Sequence, residues 1–169
     1  CMSRYFFRNP DKLLEKIRGD DALYFEFQWH YRLPSEAFFD IGQLLHWTDV
    51  MINASDSDAD KVTLVGSILG KAPDGDDGIF PIETVRKLLK IKKNEELTTA
   101  VARGKINSLG LRDVEDGKKE REKSDIYKMQ ARAMEIDYPQ TSVILRILAN
   151  FYERESKRDQ ISSEIEPLQ

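Results

Sequence analysis

The stretch from Asp125 to Arg158 constrains this chain most. Val143/Ile144, Ile147/Leu148 and Phe151/Tyr152 recur every four residues. On a helix of 3.6 residues per turn, that spacing gathers all six on one broad apolar side that folding has to cover. Upstream, Tyr127, Ala131, Met134 and Tyr138 follow steps of four, three and four, and supply a matching cover. Between the two lies Asp137-Tyr138-Pro139. Proline disfavours helical backbone at the residue before it and suits the first turn of a new helix. The pattern predicts an antiparallel helical hairpin. Leu145 and Ala149 lie on its far side, facing earlier helices, and the charged run Glu153 to Arg158 extends into solvent.

The earlier chain reads as a series of short helices. Asn9-Pro10-Asp11 opens one, with Leu13, Leu14 and Ile17 inward and Gly19 as its stop. From Ala22 to Tyr31 the period changes: Phe25, Phe27, Trp29 and Tyr31 alternate with Tyr24, Glu26, Gln28 and His30. Period 2 with so many aromatic residues favours a short β element over residues 22–31, paired with Tyr5–Arg8 or with another protein; a helix is the alternative. Pro34-Ser35-Glu36 starts a long helix to Asn53, carrying Ile41, Leu44, Leu45, Thr48, Met51 and Ile52 inward. After the polar break Ser55-Asp56-Ser57-Asp58, a further helix runs through Val62, Val65, Ile68 and Leu69 to Gly70. The segment Pro73-Asp74-Gly75-Asp76-Asp77-Gly78 is too rich in breakers for regular structure. Helices then restart at Phe80-Pro81 and at Asn94, the latter stopped by Gly110, and Leu111 to Gly117 is a connector. The expectation is a mainly α, compact multi-helix domain of about seven helices ending in the hairpin. Residues 1–33 read as a helix plus the aromatic segment, an appendage to a helical domain at 34–165.

Charge and cysteine content narrow the function. The net charge is −4, yet residues 1–85 carry 8 basic and 15 acidic groups while residues 86–123 carry 12 and 7. Such opposite blocks neutralise each other or dock a partner. One cysteine excludes an internal disulfide and Cys-based zinc ligation. No apolar run approaches the ~20 residues that span a membrane, and no signal-peptide pattern opens the chain. A cytoplasmic setting follows as the expectation. Met2-Ser3 reads as a natural start; the alternative is a piece cut from something larger.

The candidates for chemistry are sparse. Measured as an EF-hand loop from Asp74, the fifth position is Gly78 and the twelfth Val85, so the calcium pattern fails where its specificity lies and a solvated turn is preferred. His30 and His46 have no helical His-x-x-x-His spacing, so no metal is expected. His46 acts as a base only if a cleft forms around it. There is no Gly-x-Ser-x-Gly, no P-loop and no dinucleotide fingerprint. No catalytic residue and no cofactor is assigned. Arg86, Lys87, Lys90, Lys92, Lys93 and Arg103 have the sign for phosphate contact but lack interleaved stacking aromatics.

The run from Tyr138 to Glu155 is similar to helical tails of bacterial proteins and implies no named family. The reading that emerges is a non-enzymatic helical protein–protein interaction or regulatory module, bacterial and part of a larger assembly. Its partner is another protein or a second copy, met through Phe25, Phe27, Trp29 and Tyr31. The alternatives are a nucleic-acid-associated protein using residues 86–123 and a metal-assisted hydrolase with a carboxylate/His46 centre. If the hairpin stripe is core, Ile147→Ala should cost about 2–5 kcal/mol in a denaturant titration.

Overall fold

Among the residues that this computed structural model describes (2–18, 20–53, 58–109 and 117–165), nine α-helices and a 3-10 turn carry the chain, with no strand. The helices are α1 Met2–Arg8, α2 Pro10–Ile17, α3 Asp21–His30, α4 Ile41–Asn53, α5 Asp58–Leu69, α6 Glu83–Lys92, α7 Glu95–Asn107, α8 Lys118–Met134 and α9 Pro139–Ile165. The 3-10 turn, Ser35–Phe38, precedes α4. The breaks expected at Gly19, at residues 55–57 and at residues 110–116 lie outside the described residues.

The aromatic segment is helical, which corrects the strand reading of residues 22–31 and of its partner Tyr5–Arg8. Asp20 caps α3, its Oδ1 accepting from the Leu23 N–H at 3.0 Å. On a helix the segment's aromatic residues divide between two sides instead of alternating across a sheet. Tyr24, Phe27 and Tyr31 follow steps of three and four and turn inward, whereas Phe25 and Trp29, one turn apart, stay exposed. Aromatic residues on both sides suit either period, so alternation alone is ambiguous. Pairing decides it, because no neighbouring strand exists among the described residues.

The first helices are tied to the rest by several kinds of contact. Phe7 lies 6.4 Å from Trp47, ring centre to ring centre, and Trp47 is fully buried. Tyr31 Oη donates to Ser3 O at 2.9 Å, and Arg4 reaches Glu36 at 2.7 Å. Asn9 does not cap α2 with its side chain; it donates backwards to Tyr5 O instead. The long helix expected from Pro34 is divided, because Asp40 Oδ1 accepts from the Gln43 N–H and starts α4 afresh.

The α8–α9 hairpin forms as its stripes predict, with a rotation. Ile144, Leu145, Leu148, Ala149 and Tyr152 are buried, whereas Val143 is exposed and Ile147 and Phe151 are half-buried. Ile147→Ala therefore falls at the low end of its expected range, and Leu148 takes the full cost. The centre of α9 is covered from two directions, by α8 and by α7 with α6. Tyr127 stacks on Tyr152 at 5.6 Å. Ser124 and Ser142 donate their buried hydroxyls across the seam to Ala149 O and Ala131 O. The run Glu153–Arg158 does not simply extend into solvent: Ser156 is buried and donates to Gly117 O at 2.8 Å. Gly117, at φ 74°, sits so close that a Cβ there would fall 2.6 Å from Ser156 O.

Among the described glycines, the tightest surroundings are where α5 meets α7. A Cβ on Gly66 would lie 2.2 Å from Ala100 Cβ, and one on Gly70 would lie 2.5 Å from the Gly104 backbone. Gly104 in turn faces Gly66 O at 2.7 Å on the same measure. Small residues spaced by four on both helices let the two backbones touch. Alanine favours a helix interior over glycine by ~1 kcal/mol, but overpacking a tight contact costs about 1–3 kcal/mol, and here part of the obstacle is backbone. Gly66→Ala should therefore lower the unfolding free energy, read from a urea midpoint. A variant as stable as the parent or more so would disprove the crossing.

Candidate functional site

Three places bring polar or aromatic groups together, and each follows from the helix framework. The first is the outward flank of α3. Phe25 is 56% and Trp29 51% exposed, although Tyr24 and Phe27 of the same helix pack against the core. Of the four aromatic residues singled out by sequence, Phe25 and Trp29 lie on this flank. Phe27 and Tyr31 lie inward, where burial pushes the Tyr31 phenol pKa upward.

The second place is the Asp74–Gly78 loop. Its fold is decided by Arg86, which is buried, and whose guanidinium grips the loop from α6. Nη1 and Nη2 each donate to an Asp77 carboxylate oxygen at 2.7 Å, Nε donates to Pro81 O, and Nη2 also donates to Ile79 O. This two-pronged pair holds the Asp77 carboxyl down at about 2, with the Arg86 hydrogen bonds as the largest cause. Arg86 is thus withdrawn from any surface role. Only its rigid fork satisfies a carboxylate and two carbonyls together, so a lysine would not replace it.

The remaining residues of the basic block spread around α6 and α7. Lys87 pairs with Glu83 at 3.0 Å, Lys92 pairs with Asp49 on α4, and Lys90 lies 5.4 Å over the Tyr138 ring. Lys93 terminates α6 in the left-handed region at φ 49°, and Arg103 is on the exposed side of α7. His46 is exposed on α4, and His30 is exposed at the end of α3. Among the described residues, no group of three or more His, Cys, Asp or Glu side chains is placed to hold a metal ion.

The third place was not foreseen. Where α3, α5 and α7 meet, a cleft of about 160 Å³ is lined by Gln28, Trp29, Arg32, Ser67, Lys71 and Asn107, among others. Lys71 follows directly on the α5–α7 crossing and reaches across to Tyr31 O at 3.3 Å and to Gln28 O. Burial first, and Arg32 second, lower its ammonium pKa to about 8. In the sequence, Arg32 and Lys71 are isolated cations in an acidic half. Only the helix packing makes them neighbours.

No family model matches the chain, and neither curated proteins nor solved structures match it. The protein is an all-α helical domain, and no described helix is long and apolar enough to cross a membrane.

The Asp77–Arg86 grip is open to a direct test. Asp77→Ala leaves a buried guanidinium short of its carboxylate and should cost about 1–3 kcal/mol near neutral pH. Because the folded-state pKa is depressed, this contribution is complete above the ordinary carboxylate range near 4 and disappears as pH falls through about 2. Denaturation of parent and variant should therefore converge across that acid window. A gap that persists at its lower end would point to some other role for Asp77.

Proposed function

We propose that this chain is a non-enzymatic helical module that works by binding protein, with the outward flank of α3 as its contact surface. The observation that carries the reading is the exposure of Phe25 and Trp29 side by side. Apolar area left in water forgoes roughly 25 cal/mol per Å² of burial, and a contiguous exposed patch is a common mark of a contact site.

The flank suits a second copy of the same chain. Ala22, also exposed, precedes Phe25 by three residues, and Trp29 follows it by four, so the stripe runs small, large, large. Two such helices set antiparallel about a two-fold axis put Phe25 against Phe25, and the Trp29 of each over the Ala22 of the other. The same patch serves both partners, as a two-fold contact requires. The contact is short, so the expected dimer is weak and concentration-dependent. A lone cysteine suits the reducing cytoplasm in which we place the assembly.

The nucleic-acid alternative is less supported, because Arg86 is buried and Lys87 and Lys92 are engaged by carboxylates. Sedimentation velocity from about 10 μM to about 1 mM tests the self-association. The parent should move toward dimer across that range. Phe25→Ser should weaken the dimer, and Ala22→Glu should abolish it by placing bulk and charge where Trp29 docks. A parent that stays monomeric throughout, or a dimer indifferent to both changes, would sink this reading.

A further inference from the structure

The cleft between α3, α5 and α7 holds two cations, and no carboxylate is among its lining residues. Several other buried or partly buried cations have carboxylate partners: Arg86 has Asp77, Lys92 has Asp49 and Lys105 has Asp74. The Lys71 ammonium is held instead by two carbonyls near the end of α3, Gln28 O and Tyr31 O. Those contacts engage two of its three N–H donors and leave one for another acceptor. Arg32, itself exposed, lines the same cleft and adds a second positive group, and the Ser67 hydroxyl and the Gln28 and Asn107 amides bring neutral donors from all three helices. Like charges gathered in a half-buried space repel each other, and an anion is the group that reverses this.

We propose that this cleft binds a phosphate group, free or as a monoester. Two cations match a group carrying close to two negative charges, and charge-assisted hydrogen bonds from several directions suit its tetrahedral oxygens. Trp29 forms an apolar wall beside the cations, where the organic part of a monoester would rest. The site shares Trp29 with the proposed docking flank, but its recognition elements, Lys71 and Arg32, play no part in that reading, and Asn107 reports on the cleft apart from self-association.

The test uses the full chain, isotope-labelled, titrated with inorganic phosphate at fixed ionic strength. The Trp29 indole and Asn107 amide resonances should shift to saturation, with the indole of the fully buried Trp47 as the unmoved control. Lys71→Met should weaken binding at least ~tenfold. It also removes a tie to α3, so Arg32→Gln, which removes a cation without that tie, should weaken binding as well. Phenyl phosphate binding several-fold tighter than inorganic phosphate assigns the monoester; equal affinity assigns free phosphate.

Sulfate, a dianion throughout, supplies the pH arm. The Arg32 guanidinium is the charged neighbour of Lys71 in the cleft, since Gln28 and Trp29 from α3, Ser67 from α5 and Asn107 from α7 are uncharged. Sulfate affinity should therefore fall about tenfold as pH rises from 7 to 9.5 and Lys71 loses its proton. The proposal is overturned by the absence of saturable phosphate binding or by an Arg32→Gln variant that binds like the parent.

Discussion

The contact on which the rest of this structure depends is the approach of α5 to α7 through Gly66, Gly70, Ala100 and Gly104. With no side chain between them, the two backbones come together closely enough that the flanking Val65, Leu69, Leu97 and Val101 are all buried. α7 then serves as the floor for the α8–α9 hairpin, and α5 as the floor for α3 and α4. A larger residue at any of these positions separates the two floors and loosens both halves of the core together, because close-packed interiors transmit displacement. The same crossing sets Ser67 and Lys71 opposite Asn107, so the cationic cleft follows from the way the core is built.

Charged groups contribute to this fold chiefly through local constraint. Arg86 organises a loop of glycines and aspartates that has little structure of its own to offer, by giving its carbonyls and Asp77 one common donor. The arginine is buried and satisfied, which is the condition under which a buried charge is tolerated. Lys92 and Lys105 use acidic partners in the same way, joining α6 to α4 and α7 to the loop. The basic block therefore neutralises part of the acidic half from within a single chain. Lys71 and Arg32 do not follow that pattern.

Much of the fold was legible because local patterns and tertiary contacts agree. The Asn94 cap predicted for α7 is present, its side chain accepting from the Leu97 N–H at 2.8 Å. The Pro139 break and the facing stripes of α8 and α9 are where periodicity put them. What failed was rotation and period. Val143 turned out exposed because α9 is gripped by α8 on one side and by α7 on the other, so the buried arc centres on Ile144, Leu145 and Leu148. Alternating aromatic residues looked like a strand because a helix with two aromatic sides has almost the same spelling. Trp47 is fully buried and shares a helical spacing with Leu44 and Met51, so it belongs to the same inner stripe of α4.

By itself, the sequence determined the helical class, the terminal hairpin and the shortage of catalytic motifs, because amphipathic period, caps and breakers act over a few residues. Only the tertiary structure decided which cations are buried and which face a cleft. It also decided that Gly66 and Gly104 are contact points rather than weak spots in their helices, and that Phe25 and Trp29 stay outside while Phe27 goes in. These outcomes depend on distances between residues far apart in the chain. Packing sets those distances, and no local pattern encodes them.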